Sequence, residues 1–452
     1  MSHDLNPLND PLWLVIVKVV AVFVLLLTWT IFNVWFERRV IGRMQNRRGP
    51  TMNGPLGLGQ ALGDGMKLIF KEDFRPARTD AVVFSIAPML TAVAAFTVWT
   101  VIPLGGNVTI FGVDTRLQIT DLPVSILFIL AVAAVGFYGV VLAGWASNGT
   151  YSLLGSMRAT AQIISYEVCM GLSLIPVFIL SQSASTGDVV KAQQIPWLPL
   201  PGGVPDLPSW YFLLLIPSFV IFLISMLGEC NRLPFDFAEC ESEIVSGHLT
   251  DFSGFRYALY FLAEYINMAT TSAICATVFL GGYTAPWPLN QIAWMNDGWF
   301  TLLWFILKVQ LLIFGFVWVR GSLPRYRYDK FMALGWKVLI PVALVWTMLV
   351  ALFRTAGHEN WFSSPIFIGV VAVIFIAVLA LVWFSSDDEA PEPDPLEKAA
   401  ERQALPGAYP TPVLSDSLLE AINAPASQKQ LVGSSASRET ASANNVSEGA
   451  DS

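Results

Sequence analysis

Long apolar runs, separated by short charged segments, set the pattern of this chain. Nine runs of about 20 residues recur, at 12–36, 81–103, 122–146, 160–181, 210–228, 258–281, 300–319, 334–353 and 365–384. A helix of that length crosses the ~30 Å hydrocarbon core of a bilayer and satisfies its own backbone polar groups there. The pattern therefore predicts an all-α polytopic membrane protein with about nine transmembrane helices. The first run is too long for a signal-peptide core, lacks a basic stretch before it and has no A-x-A site after it. It reads as a retained span. After it, residues 56–70 (LGLGQALGDGMKLIF) set Leu62, Met66, Ile69 and Phe70 on one helical face, with Asp64 and Lys67 within pairing reach. This predicts one short amphipathic helix lying in the membrane interface. In the third span, Gly136, Gly139 and Ala143 share one face and predict close helix packing.

Composition agrees with this picture. The 452 residues are 54% hydrophobic and 13% charged, and the mean hydropathy is +0.58. These values exclude a disordered chain, a fibrous protein and an ordinary soluble enzyme. The net charge of -8 argues against a nucleic-acid partner. That charge belongs wholly to residues 385–452, where 12 acids face only Lys398, Arg402, Lys429 and Arg438. The same segment is rich in Ser, Ala, Pro and Glu and is expected to be a disordered tail. The remainder is neutral in sum but segregated. Segments 37–79, 147–159, 229–257 and 320–337 carry 17 Lys and Arg, whereas the alternate loops hold Arg116, Lys191 and Arg354. The bias puts the basic loops and the C-terminal tail in the cytoplasm and the N-terminus outside.

Candidate chemistry is concentrated on the cytoplasmic side. The third inner loop holds Glu229, Asp236, Glu239, Glu241, Glu243 and Asp251, against Arg232 and Arg256. Glu239 and Glu243 are four apart, so a helix there would bring like charges together and favour retention of a proton. Such a cluster either passes protons or is a solvated acidic loop balanced by arginines. Within spans, Glu167, Glu264 and Lys308 each cost roughly 2.5–3.5 kcal/mol to insert, so they must face protein or water. Buried acids of this kind mark ion or proton paths; the alternative is a structural pair such as Glu264 with Lys308. Lys18, nearer the outer end of the first span, is expected to snorkel to the surface.

Other chemistries find little support. The glycines Gly57, Gly59 and Gly63 have the wrong spacing for a dinucleotide loop, and no strand pattern precedes them. Cys169, Cys230, Cys240 and Cys275 form no C-x-x-C pair, and His3, His248 and His358 are scattered, so no metal site is expected. Cys230 and Cys240 read as buried small apolar residues.

Four long strings, ERRVIGRMQNRRGPTMNGPLGLGQALGDGMKLIFKED, GWASNGTYSLLGSMRATAQIISYEV, GECNRLPFDFAECESE and LPRYRYDKFMALGWK, occur in order. They resemble the H-type membrane subunit family of bacterial proton-pumping NADH–quinone oxidoreductase, respiratory complex I, and its mitochondrial counterpart, NADH dehydrogenase subunit 1. The likeness runs from about residue 11 to residue 355. It implies a subunit of the bacterial cytoplasmic (inner) membrane that builds much of a quinone chamber and couples quinone reduction to proton translocation. Glu37, Arg38, Arg43, Arg47, Asp64, Lys67, Arg232, Asp236 and Arg325 would border the chamber. Glu167, Glu229, Glu239, Glu241, Glu243, Asp251 and Glu264 would carry protons, with Lys308 as a further ionisable member. The resemblance implies no cofactor bound by this chain. Its substrate would be a quinone, ubiquinone or menaquinone, with FMN and iron–sulfur clusters held by partner subunits. The expected partners are peripheral iron–sulfur subunits, antiporter-like and small membrane subunits, and membrane lipid.

Three features depart from the family. Asp251 stands where a glutamate is usual, a ninth span follows the matched region, and the acidic tail is extra. The chain thus divides into 1–355, a chamber and channel unit of eight spans; 356–384, an added span; and 385–452, the tail. The alternatives are the homologous subunit of a membrane-bound hydrogenase-type complex and a secondary transporter. Against the transporter, the chain has no visible internal repeat.

Overall fold

Helices dominate the computed structural model, which describes residue 7 and residues 10–198, 207–237, 244–287 and 289–358. The expected ninth span, the tail, Glu239, Cys240, Glu241 and Glu243 lie outside these residues. The main helices are α1 (Leu12–Met44), α2 (Gly59–Phe70), α3 (Ala81–Thr97), α4 (Ser125–Ser147), α5 (Thr150–Ser181) and α6 (Thr186–Gln194). They continue as α7 (Tyr211–Leu214), α8 (Ile216–Glu229), α9 (Gly254–Phe279), α10 (Phe300–Ser322), α11 (Tyr328–Ala333) and α12 (Ile340–His358). A π-helical turn, Leu334–Leu339, joins α11 to α12.

Each of the first eight predicted runs falls on a helix. Six helical stretches are long and apolar enough to cross a membrane: Leu12–Met44, Ala81–Thr100, Ser125–Ser147, Thr150–Ser181, Phe300–Ser322 and Tyr328–Thr355. The fifth run is broken at Leu215, where the backbone leaves helical geometry before Pro217 restarts it, so α8 alone has only 14 residues. The sixth run is α9, whose C-terminal half, from Tyr265 to Phe279, is buried almost without interruption. A helix buried all round is enclosed by other helices rather than by lipid, so α9 is the axis of the bundle. Two helices extend by two turns or more past their apolar runs: α1 carries Glu37, Arg38, Arg39 and Arg43 on its last turns, and α5 begins at Thr150. Residues flanking an apolar run continue the helix because nothing in them breaks it.

Two short hairpins were not expected. Strands β1 (Asn107–Ile110) and β2 (Val113–Arg116) pair antiparallel around Phe111 and Gly112, both at positive φ. Positive φ at both turn positions matches the twist of a tight hairpin. The second pair is β3 (Pro196–Leu198) with β4 (Leu207–Pro208). The first hairpin also corrects the reading of Lys18. Its ammonium is buried, 2.5 Å from Asp10, and donates to Thr115 Oγ1 (2.7 Å) and to the carbonyls of Arg116 (2.8 Å) and Gln118 (3.1 Å). It fastens α1 to β2 instead of reaching for solvent, because four oxygens are supplied inside the protein.

Small residues bring α3 and α4 together as the sequence predicts. A Cβ on Gly139 would stand 2.0 Å from Thr91 Oγ1 and 2.7 Å from the Ala87 carbonyl oxygen. The Tyr260 hydroxyl donates to the Gly139 carbonyl (3.0 Å), bringing α9 to the same point. A rotamer change could move Thr91, but the Ala87 backbone has no such freedom. Gly139→Ala should therefore destabilise this helix pair by about 1–3 kcal/mol and lower the thermal midpoint of the detergent-solubilised protein. Gly171→Ala in α5, whose added methyl meets nothing within 4 Å, should leave the midpoint unchanged or slightly raised. An equal response from both variants would contradict the packing argument.

Candidate functional site

Five ionisable side chains from four parts of the fold converge at one end of the bundle. Glu37 comes from the last turns of α1, Arg232 from the segment after α8, Glu264 and Tyr265 from α9, and Arg320 from the end of α10. Arg232 Nε lies 2.9 Å from Glu264 Oε1, and its Nη1 lies 3.6 Å from Glu37 Oε1. The Tyr265 hydroxyl donates to Glu37 Oε2 (2.7 Å), and Arg320 Nη1 donates to Glu37 Oε1. The Arg232 guanidinium also sits 4.5 Å over the Tyr265 ring, a cation–π contact. Two carboxylates thus face two guanidiniums, and the buried group is neutral in sum. Burial alone would favour loss of the Arg232 proton, but the carboxylates of Glu264 and Glu37 outweigh it and hold Arg232 well above its ordinary pKa.

The sequence places Arg232 well but does not show what fixes it. Gln162 of α5 donates to the carbonyls of Gly228 (2.7 Å) and Phe235 (2.8 Å), on either side of Arg232. Phe235 then joins Tyr166 and Phe331 in an aromatic stack, with Phe331 4.2 Å from Tyr166 and 4.3 Å from Phe235. The Tyr166 hydroxyl donates to the Phe331 carbonyl (2.9 Å), so α5 holds both the α8 segment and α11.

A more open group adjoins the buried one. Arg38 Nη1 pairs with Asp64 Oδ2 at 2.5 Å, and Gln60 donates to Asp64 Oδ1 at 3.0 Å. Asp64 is thus engaged by α1 rather than by Lys67, its expected neighbour on α2. Lys67, Arg43 and Arg47 are exposed, and Arg47 donates to Gln45 Oε1. Leu62, Met66, Ile69 and Phe70 of α2 are exposed together, as an interfacial helix requires. Arg325 donates to the Asp236 carbonyl and lies 3.8 Å from its carboxylate.

The remaining acids divide. Glu229 is 2% exposed and its Oε2 has no protein partner; half-buried Glu167 lies close enough to interact with it electrostatically. Glu229 and Glu264 both border a cavity of about 90 Å³, together with Asn231, His248, Tyr260 and Asn267. Asp251 stands apart, accepting from Ser152 Oγ (2.9 Å) on the first turn of α5, where a helix N-terminus favours negative charge. Lys308 is also apart. Its ammonium caps the carbonyls of Leu280, Gly282 and Thr284 (2.6, 2.9 and 2.7 Å) beyond the C-terminus of α9 and lies 4.4 Å from the Trp210 ring centroid. Leu280 lies 16 positions after Glu264, and a helical rise gives roughly 24 Å of separation. The alternative Glu264–Lys308 pair does not form, because Arg232 occupies Glu264. Among the described residues no group of His, Cys, Asp and Glu has the arrangement of a metal site. Cys230 is buried, as expected, with its Sγ 3.3 Å from Thr271 Oγ1.

Sequence alone missed Arg320, Tyr265, Asn231 and His248. Arg320 was one basic residue among many, and Tyr265 gave only adjacency to Glu264.

The NADH dehydrogenase family pattern matches residues 17–351, a span that contains every member of both charged groups. The chain belongs to the NADH dehydrogenase family. The H-type subunit of NADH-quinone oxidoreductase from Cutibacterium acnes is 58% identical over 412 residues, covering 90% of this chain and 92% of that protein. The protein of the same name from Frankia alni is 47% identical over 395 residues, covering 87% and 84%. Both alignments are longer than the family match, so similarity to these relatives extends outside it.

Arg232→Met removes the cation shared by Glu37 and Glu264 and should destabilise the fold by about 3 kcal/mol, because a buried and a partly buried carboxylate lose a partner. The double variant Arg232→Met/Glu264→Gln should recover part of that loss. Thermal unfolding of the two variants checks this; a double variant no more stable than the single one would contradict the account.

Proposed function

We propose that this chain is the membrane subunit of a proton-pumping NADH–quinone oxidoreductase that forms much of its quinone chamber and couples quinone reduction to proton translocation. The observation that carries the reading is the continuity of charge. Exposed Arg38–Asp64 adjoins buried Glu37, Arg232 and Tyr265 with the partly buried Glu264 and Arg320, and Glu264 shares a cavity with Glu229. The relatives named for this activity support it. In this reading electrons arrive from iron–sulfur clusters and FMN held by partner subunits.

The chemistry follows from charge. Reducing a quinone, ubiquinone or menaquinone, to the quinol takes up two electrons and two protons. Until the protons arrive, negative charge accumulates in the chamber. The buried group is poised to respond because its two acids and two bases nearly cancel. New negative charge beside Arg38 and Glu37 weakens the hold of Arg232 and Arg320 on their carboxylates and favours protonation of Glu264. Through the cavity that change reaches Glu229, and through Glu229 it reaches Glu167 electrostatically. Each proton driven against 100 mV requires about 2.3 kcal/mol, which the downhill electron transfer must supply. Glu239, Glu241 and Glu243 are proposed to gather protons at the cytoplasmic side. The relay would then deliver its effect to the antiporter-like membrane subunits. Asp251 and Lys308 stabilise helix ends and are not needed in this path. In this reading the complex sits in the bacterial cytoplasmic membrane, with this chain's N-terminus outside and its tail in the cytoplasm.

Glu229→Gln and Glu264→Gln keep shape and hydrogen bonding but cannot exchange a proton. Each should spare assembly and lower quinone-linked NADH oxidation or pumping at least several-fold, measured in membranes and proteoliposomes. Wild-type coupled activity in both would refute the relay. A photoreactive quinone analogue should label the region of Glu37, Arg38, Asp64 and Lys67; labelling confined to other parts of the chain would refute the chamber assignment.

A further inference from the structure

The cavity beside Glu229 contains polar atoms that no protein group satisfies. His248 lies in a short 3-10 turn, Gly247–Leu249, and is 7% exposed. Its Nδ1, Glu229 Oε2 and Asn231 Oδ1 are buried without a protein partner. All three residues line the same cavity as Glu264. Each of these atoms can accept a hydrogen bond and finds no donor in the protein, so the donor comes from elsewhere. Water is the donor that fits: the site is polar, offers several partners and has room for several molecules.

We propose that the cavity holds a file of ordered waters between the carboxyls of Glu229 and Glu264, and that His248 anchors it as a positioning residue of the proton path. This rests on the relay reading above. Burial pushes the His248 pKa down to about 4, so the ring is neutral at neutral pH and can fix one water through Nδ1 without adding charge. The turn is held from two sides. Gly155 of α5 lets Gly247 approach so closely that a Cβ there would lie 2.4 Å from Gly247 Cα. The Tyr260 ring meets the imidazole edge-on at 5.6 Å, and its hydroxyl is tied to α4. Across the cavity the wall includes Val98, Phe137 and Val140, which offer a water no bond. Without the imidazole the file would lose its lateral anchor. The transfer balances: a proton leaving Glu229 for the first water is matched by one leaving the last water for the Glu264 carboxylate. The waters and the ring end unchanged.

The test uses the assembled complex in proteoliposomes. His248→Phe keeps a ring and removes hydrogen bonding; His248→Asn restores a polar atom where Nδ1 stands. Quinone-linked turnover and pumping should fall at least fivefold in His248→Phe and return to within about twofold of wild type in His248→Asn. NADH oxidation by ferricyanide, which bypasses the quinone, should be unchanged in both. Wild-type pumping in His248→Phe, or no rescue by Asn in a fully assembled complex, overturns the proposal. Should His248→Phe not assemble, a high-resolution structure of the wild-type complex decides: ordered waters within hydrogen-bond distance of Nδ1 support it, and a dry cavity overturns it. Impaired Glu229→Gln and Glu264→Gln beside an unimpaired His248→Phe would remove this inference alone. Unimpaired glutamate variants would remove the relay itself.

Discussion

Arg232 is the pivot of the structure. Two carboxylates, Glu37 and Glu264, come from helices that need to meet at the buried end of the bundle, and neither could be buried there ionised and alone. A single guanidinium between them, with Arg320 on the same oxygen of Glu37, makes their meeting possible. The same contacts join α1, α9 and α10 to the segment after α8. Electrostatic compensation and helix assembly are therefore one interaction. A change of charge at any member is felt by all of them, which is the property a coupling device needs.

That arrangement depends on apolar and small-residue packing elsewhere. Arg232 is carried by a short segment without helical hydrogen bonds of its own. Its position comes from Gln162 bonding on both sides and from Phe235 packed on Phe331, which in turn stacks on Tyr166. The chain that presents His248 is set by Gly155, and the facing wall is set by Gly139 against α3. Glycines here do not act through flexibility. They shorten the distance between backbones, and so decide where the polar groups meet.

The spans were legible because hydrocarbon imposes a length and an apolarity on any helix that crosses it. The amphipathic α2 was legible from Leu62, Met66, Ile69 and Phe70, since one face repeats every three or four residues. The hairpin at Phe111 and Gly112 was not, as four-residue strands leave too short a pattern. Partners of buried charges were harder still. Lys18 read as a snorkelling lysine, because nothing near it in sequence announces Asp10 and Thr115 together. Glu264 suggested Lys308, one span away, whereas its partner is Arg232 and Lys308 caps the far end of α9. Residue type reveals that a buried charge must be compensated; only the fold reveals by which residue. The resemblance to the family pointed to Glu37 as a site residue, but not to Tyr265 and Arg320 as its contacts.

The cavity between α3, α4 and α9 is a place where this packing is incomplete. Left empty, a void of about 90 Å³ would cost on the order of 2 kcal/mol at about 24 cal/mol per Å³. Each orphaned polar atom on its wall would add about 1–3 kcal/mol. A bundle that closes α3 on α4 through glycine could have closed here too, with a larger apolar side chain in place of Ala94 or Ala263. Instead it keeps Asn231, His248 and Glu229 facing the space. Waters offset the void and the missing hydrogen bonds together, which makes the hydrated form the stable one. Such a file also leaves Glu229 and Glu264 free to exchange protons without moving a helix. In the proposed relay, the defect in packing and the path for protons are the same feature, seen once as stability and once as function.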